Sequence, residues 1–336
     1  MRLPGWKTAR SAAHWLHSRM TNFVLILGYH RVAETAVDPY DLCVRPEHFA
    51  EQMDVLRRQV TVIDIDAITD GLKSGRLPRR AVAITFDDGY LDNLQMAKPL
   101  LTANNIPATV FAVSGSLGQE FWWDRLARII FGPAVLPESL TLPICGQTFT
   151  WSILDTSQAA PTKDSPSPRR RLLDQLYQRL VALPEARPSI LAQLEQWAET
   201  AGPIPPAASR AMTAEELQNL TADGLITVGS HTVSHAKLTG LPSLQQQAEL
   251  SDSHQTLTEI LDRPVMTLSY PHGDNNVPTR QLARQAGYQL ACASQNGIVH
   301  RRQEPFCLPR FWAPDWDGEQ FGRWLNKWLG NCYPSM

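Results

Sequence analysis

Three features that would assign this chain to a well-defined class are missing from its sequence. The five cysteines are scattered and include no CxxC pair, which argues against a disulfide framework or a structural zinc site and favours free thiols in a reducing compartment. The 31 lysine and arginine residues nearly balance the 33 aspartate and glutamate residues, so the charge gives no support for nucleic acid as a partner. No apolar run approaches the roughly 18 residues of a transmembrane helix.

The amino-terminal region also lacks the pattern of a secretory signal, because its only apolar run, 23–27, is too short. We therefore expect a cytoplasmic protein, with the cytoplasmic face of the inner membrane as the alternative location. Residues 1–22 are predicted to form a helical extension, within which 6–20 would make a short basic helix packed on the domain. Peripheral contact of this helix with a membrane is the alternative.

The 336 residues, 43% of them hydrophobic, are sufficient for one large domain or one domain with an insertion. Short apolar runs alternate with segments of helical periodicity. The predicted strands are 23–29, 60–64, 81–86, 107–113, 225–229, 265–270, 289–293 and 307–311, and the predicted helices between them are 46–58, 91–104, 213–222, 243–262 and 276–286. This alternation predicts an α/β fold, an irregular (β/α) barrel of about seven to eight mostly parallel strands, with a doubly wound sheet as the alternative.

The alternation stops between about 115 and 212, inside the barrel domain 23–336. We interpret this stretch as an inserted helical subdomain with helices at 169–182 and 186–201. A mobile surface excursion, partly disordered at 155–168, is the alternative. The FWWD sequence within it is predicted to be buried, although aromatic residues of this kind also stack on sugar rings.

Four predicted strands end in side chains that can bind metals or transfer protons. These are His30, Asp87 with Asp88, His231 with His235, and Tyr270–Pro271–His272. An isolated Asp-Asp pair is more often an acidic turn or a helix cap. Because the carboxyl ends of parallel strands open on one face of a barrel, where barrel enzymes hold their catalytic groups, we expect these side chains to form one site.

The residue types indicate the chemistry of that site. His231 and His235 are four residues apart, so with one carboxylate they could hold a divalent cation, while Thr232 excludes the HExxH protease motif. Such a cation lowers the pKa of bound water towards about 7 and polarises a carbonyl group. The second carboxylate could accept a proton from water, and a histidine such as His30 could protonate the leaving group. The pattern predicts a metal-assisted amide or ester hydrolase.

The motifs TFDDGYLDN, SHTVSH and SYPHGDNN, in this order, resemble those of NodB-type polysaccharide deacetylases, carbohydrate esterase family 4. LGYHRV is similar to the start of the branch whose barrel is circularly permuted. The resemblance covers roughly 23–113 and 213–311. It implies a metal-dependent carbohydrate N-deacetylase that acts on a surface polysaccharide, a lipid-linked glycan or an activated sugar precursor.

The resemblance also implies roles for single residues. Asp87 would be the general base, Asp88 would bind the metal together with His231 and His235, and His30 would be the general acid.

The Tyr-Pro segment, Tyr270 and Pro271, would line the acetyl pocket, and the backbone N–H of His272 would hold the oxyanion. The imidazole of His272 is expected to face solvent.

The sequence departs from the family pattern in two ways. Ser269 occupies the position at which many members carry an arginine, so we expect Arg310 to orient the base, with an ordinary salt bridge at the barrel rim as the alternative. The late Leu-His acid motif is also missing, and His300 lies on a charged loop, which favours His30 as the acid. Trp312 and Asp315 are predicted at the rim of the site.

Zinc is the first expectation for the metal, with cobalt, nickel, manganese and iron as alternatives because nitrogen and oxygen ligands accept them all. The alternative functions are a deformylase or small-sugar deacetylase, a non-haem iron oxygenase, and a non-catalytic saccharide-binding module. The sequence contains no motif that specifies the sugar, its carrier or the oligomeric state.

Overall fold

A computed structural model describes residues 23–35, 37–153, 167–204 and 209–329. The predicted helical extension at 1–22 lies outside the described residues, as does most of the segment 155–168. Within the described ranges, no helix combines the length and the apolar character needed to cross a membrane.

The elements are named here in chain order. The strands are β1 Phe23–Tyr29, β2 Arg31–Val32, β3 Cys43–Val44, β4 Thr61–Ile63, β5 Ala81–Phe86, β6 Ala108–Ala112, β7 Ser139–Ile144, β8 Gln147–Ser152, β9 Ile226–Ser230, β10 Thr267–Ser269, β11 Leu290–Cys292, β12 Val299–His300 and β13 Phe311–Trp312. The helices are α1 Pro46–Gln59, α2 Asp66–Ser74, α3 Lys98–Asn104, α4 Trp122–Phe131, α5 Pro168–Ala182, α6 Arg187–Glu199, α7 Ala214–Thr221, α8 Ser243–Leu261, α9 Val277–Gln285 and α10 Gly318–Trp328. A π-helical turn, Asn93–Ala97, leads directly into α3.

The main sheet is a curled sheet of mostly parallel strands. Seven strands follow the order β11, β10, β9, β6, β5, β1, β12, and β4 and β13 pair beside β5 and β1. Every pairing in this sheet of the described chain is parallel except that of β1 with β12. The predicted α/β barrel is therefore confirmed.

The segment 308–312 connects two distant strands of this sheet. Leu308 forms a parallel bridge to Cys292 of β11, and β13 pairs with Leu27 and Gly28 of β1. Arg310 lies between these two contacts and is fully buried. The segment thus brings a charged side chain into the interior at this point.

Strand β1 shows why the sheet is buried on both faces. Alternate side chains of a strand point to opposite faces, so Val24 and Ile26 join one core cluster while Leu25 and Leu27 join another. A strand buried on both faces requires an unbroken apolar run rather than an alternating one. Each fully buried side chain of this size contributes roughly 1.5–3 kcal/mol to folding.

Residues 118–211, together with 35–41, form a second compact unit. It contains α4, α5 and α6, and also the antiparallel hairpin of β7 and β8, which the sequence analysis did not predict. In the FWWD sequence, Phe121 and Trp123 are buried as predicted. The residues predicted to form the catalytic site all belong to the other unit, whose described residues are 23–34, 42–117 and 212–329.

Gly28 is needed where β13 pairs with β1. A Cβ atom at this position would lie 2.7 Å from Cε3 and Cζ3 of Trp312. We expect Gly28→Ala to lower the free energy of unfolding by about 1–3 kcal/mol because the indole ring must move, as measured by urea denaturation. Gly240→Ala is the matched control, since its new methyl group would meet nothing within 4 Å. Equal effects of the two substitutions would contradict this explanation.

Candidate active site

The acidic pair begins where β5 ends. The N–H of Asp87 donates to the carbonyl oxygen of Tyr29 at 2.9 Å, which continues the pairing of β5 with β1. The backbone then turns at Asp88 and Gly89, which have φ values of 72° and 79°. A left-handed φ is uncommon for residues other than glycine, and such residues cluster at functional sites.

Asp88 lies beside the two histidines that follow β9. Its Oδ1 atom is 3.6 Å from Nε2 of His231 and 3.5 Å from Nε2 of His235. One ligand atom from each of the three residues lies within 4.8 Å of the others. The structure thus brings together the three residues predicted to bind the metal.

The hydrogen bond of His231 determines which of its nitrogens could bind a metal. Nδ1 lies 2.7 Å from the carbonyl oxygen of Ser269, and a carbonyl can only accept, so Nδ1 carries the proton. Burial lowers the pKa of His231, against the raising effect of Asp87, and this favours the neutral imidazole. The lone pair of Nε2 therefore faces Asp88.

The three residues fit a divalent cation. Ligand atoms of a tetrahedral zinc site, with bonds of about 2.0–2.1 Å, lie about 3.4 Å apart. The distances from Asp88 to the two imidazoles, 3.5 and 3.6 Å, are close to this value. A carboxylate with two neutral imidazoles is also a donor set that zinc and other first-row metals accept.

Asp87 has a different partner from Asp88. Nη1 and Nη2 of Arg310 donate to Oδ1 and Oδ2 of Asp87, each at 2.8 Å, and the Ser269 hydroxyl donates to Oδ2 at 3.1 Å. The remaining guanidinium N–H groups donate to Thr85 Oγ1, Ser269 Oγ and the Ala293 carbonyl. All five N–H groups of Arg310 are thus used, and the side chain is held in one orientation.

The ion pair keeps Asp87 charged. Burial by itself would raise the pKa of Asp87, but the charge of Arg310 and its hydrogen bonds to the carboxylate outweigh burial and hold this pKa well below its usual value. Asp87 is therefore an ionised carboxylate at neutral pH, 3.8 Å from Nε2 of His231. Arg310 thus lies in contact with Asp87, and its role in orienting a base stays a prediction.

His30 follows β1 and is held by its own contacts. Its ring stacks on Trp312, with centroids 4.4 Å apart and an angle of 17° between the planes. Its backbone oxygen accepts a hydrogen bond from Asn93 Nδ2 at 2.9 Å, and a positive charge on His30 would lower the pKa of Asp87. The guanidinium of Arg310 lies 4.8 Å from the Trp312 ring centroid, so one indole supports both side chains.

The remaining predicted residues differ in their relation to this cluster. The His272 ring is 4.7 Å from the His235 ring, and the preceding residue, Pro271, is buried. The Tyr270 side chain is fully buried in the larger core cluster, so its backbone is the part that could line a pocket. Asp315 accepts hydrogen bonds from Arg45 and lies 2.8 Å from His48 Nδ1, both at the start of α1, and its place at the rim stays a prediction.

Comparison with known proteins gives the family. A family model described as polysaccharide deacetylase matches residues 74–159 and 190–291, which is more than half of the chain. The chain belongs to the polysaccharide deacetylase family. The predicted family is therefore confirmed, whereas the circular permutation of the barrel stays a prediction.

Individual relatives match parts of the chain. YxkH of Bacillus subtilis is 31% identical over 117 residues, 34% of this chain and 42% of that protein. The poly-β-1,6-N-acetyl-D-glucosamine N-deacetylase of Escherichia coli K12 is 33% identical over 122 residues, 35% of this chain and 17% of that enzyme. The chain thus spans less than half the length of either relative.

The structure of the Streptococcus pyogenes deacetylase PplD in complex with acetate is similar over 90% of this chain and 98% of that chain, with a TM-score of 0.58. Its sequence identity of 17% means that this likeness concerns the fold.

The contacts of some residues at this site are not predicted from the sequence. In the sequence Ser269 marks only the absence of an arginine, whereas in the structure its hydroxyl donates to Asp87 and accepts from Arg310. Asn93 belongs to the TFDDGYLDN motif, but nothing in its spacing shows that it holds the backbone of His30. The position of Thr85 is predictable from the sequence. It is a polar residue in an apolar strand, two positions before Asp87, so its side chain points to the same face as that of Asp87.

The buried ion pair predicts a large and specific loss of stability. Arg310→Met leaves Asp87 charged, buried and without its main partner, so we expect the free energy of unfolding at pH 7 to fall by about 3–5 kcal/mol, measured by urea denaturation. Adding Asp87→Asn to this variant should restore part of the loss, because the uncompensated charge is then removed.

Arg284→Met is the matched control. Arg284 pairs with Glu304 at 3.3 Å, but both side chains are about half exposed, so the expected change is within about 1 kcal/mol. If Arg310→Met were no more harmful than this control, the pair would not be acting as a buried charge pair.

Proposed function

We propose that this protein is a metal-dependent N-deacetylase that removes the acetyl group from an N-acetylated sugar of a surface polysaccharide, a lipid-linked glycan or an activated sugar precursor. The observation that carries the proposal is the separation of two adjacent carboxylates. Asp88 lies between two imidazoles, while Asp87 beside it is held ionised by Arg310. Such a site has a place for a cation and a proton acceptor next to it.

The metal site would be formed by Asp88, His231 and His235. A divalent cation held there, with zinc the first candidate, would polarise the acetyl carbonyl and lower the pKa of the attacking water. Nε2 of each histidine is the nitrogen directed at Asp88.

Two proton transfers complete amide hydrolysis. Asp87 accepts a proton from the water molecule as the water oxygen attacks the acetyl carbon. The two hydrogen bonds that Asp87 accepts from Arg310 keep the carboxylate aligned. The C–N bond then breaks, and His30 gives a proton to the departing sugar nitrogen, with its ring fixed against Trp312. The backbone N–H of His272 is our candidate donor to the developing oxyanion. The products are acetate and a free amino sugar.

The rival functions are less well supported. The parallel α/β sheet differs from the double-stranded β scaffold that iron oxygenases with two histidines and a carboxylate usually have. A non-catalytic saccharide-binding module would have no use for an ionised carboxylate held by two hydrogen bonds from a buried arginine. A deformylase or small-sugar deacetylase would use the same groups, so only substrates can distinguish it.

Substrate identity can be tested directly. Acetate release should be measured from polymeric, lipid-linked and nucleotide-linked N-acetylhexosamines, after chelation and after addition of Zn²⁺ or Co²⁺. The E. coli relative named above supports β-1,6-linked N-acetylglucosamine oligomers as the first substrate. We expect release that requires added metal. Sugar binding without any acetate release would favour the binding module, and formate release from N-formyl sugars would favour the deformylase.

The proposed base, Asp87, and the proposed metal ligand His235 should have separable roles. Asp87→Asn should reduce acetate release by about 100- to 10,000-fold, the contribution of a general base, while metal content stays near one ion per chain. His235→Ala should instead lose the metal, as measured by elemental analysis after dialysis.

Asp252→Asn and His300→Ala are the matched controls, since both residues are exposed, and both variants should retain activity and metal. Wild-type turnover by Asp87→Asn would refute its role as the base.

Location in the cell also stays a proposal. We propose the cytoplasm or the cytoplasmic face of the inner membrane, and recovery of the protein outside the inner membrane on subcellular fractionation would refute it.

A further inference from the structure

The loop that carries both predicted metal-binding histidines has an unusual backbone. Between His231 and His235, Thr232 has a φ of 65°, and His235 itself has a φ of 56°. Left-handed conformations in residues other than glycine persist only where surrounding contacts enforce them. Something outside this loop must therefore hold it in shape.

Glu249, on helix α8, provides three of these contacts. Its Oε2 atom accepts hydrogen bonds from the backbone N–H groups of Val233 and Ser234, each at 2.9 Å. Its Oε1 atom accepts a hydrogen bond from the Ser234 hydroxyl at 2.5 Å. A single carboxylate thus holds the middle of the loop between the two histidines.

The opposite side of the loop is fixed by the segment after β6. The N–H groups of Ser114 and Gly115 donate to the carbonyl oxygens of Thr232 and Val233 at 3.1 and 2.9 Å. A Cβ atom at Gly115 would lie 2.6 Å from the Val233 oxygen, so this close approach requires glycine. The loop is therefore held by two neighbouring segments. Helix α8 contributes the Glu249 side chain, and the segment after β6 contributes two backbone N–H groups and the Ser114 hydroxyl.

We propose that Glu249 is a positioning residue for the metal site: it holds the 231–235 loop so that both imidazoles direct Nε2 at Asp88. This inference rests on the metal-dependent function proposed above. A carboxylate suits the task because it accepts several hydrogen bonds at once and offers no donor that would compete with the loop. Without it, the strained loop can relax and the two nitrogens no longer converge on one point.

The test is the affinity of the folded protein for Co²⁺, measured by calorimetry and by the visible absorption spectrum of the bound ion, which reports coordination geometry. Glu249→Ala should weaken Co²⁺ binding by about 10- to 100-fold, the usual effect of removing a group that orients metal ligands, and should alter the spectrum. Glu249→Gln keeps one acceptor oxygen for the two N–H groups, so its loss should be smaller.

Glu259→Ala is the matched control, because Glu259 is exposed on the same helix and its carboxylate contacts Gln255. It should bind Co²⁺ as the wild type does. If Glu249→Ala does not fold, Ser234→Ala removes only the hydroxyl contact and should weaken binding by a few fold.

Asp88→Ala separates this inference from the proposed function. If the wild type and Asp88→Ala bind Co²⁺ equally, the metal site itself is wrong. If Asp88→Ala loses Co²⁺ while Glu249→Ala and Ser234→Ala keep wild-type affinity and spectrum, the metal site stands and the positioning role of Glu249 is overturned.

Discussion

The ion pair between Asp87 and Arg310 is the interaction on which the site depends. Both side chains are almost entirely removed from water, and removing charges from water costs several kcal/mol per ion. A hydrophobic pair of similar size would often be at least as stable, so stability alone does not explain why the pair is there. The bidentate contact explains it better, because it keeps one carboxylate ionised and oriented next to the metal-binding candidates.

This pair also resolves the problem of two adjacent carboxylates. Two neighbouring carboxylates repel each other, so both stay ionised only where each has its own stabilising partners. Here the left-handed turn at Asp88 separates their surroundings, with a guanidinium at Asp87 and two imidazoles at Asp88. Arg310 and Ser269, which are far apart in the chain from Asp87, both contact its carboxylate.

Strongly periodic segments were predictable, and short or weakly patterned ones were not. Strand β1 and helix α8 agree with their predicted bounds to within one residue, because an unbroken apolar run and a long amphipathic segment leave few alternatives. Helices α2 and α10 were missed, although α10 begins with an Asp317 cap. The β7–β8 hairpin carried a readable signal in the alternation of Leu140, Leu142 and Ile144 before a Cys-Gly turn.

The sequence by itself determined the barrel, the family and the set of residues that could bind a metal, because apolar periodicity and motif spacing are local properties of the chain. The sequence also predicts Arg310 as the partner of Asp87, but only the tertiary structure decided the contacts that hold these side chains and the histidine loop. Arg310 reaches Asp87 across 223 residues, and Glu249 reaches the histidine loop from a helix surface. Such contacts depend on how strands and helices pack in three dimensions, and no spacing in the sequence records that packing.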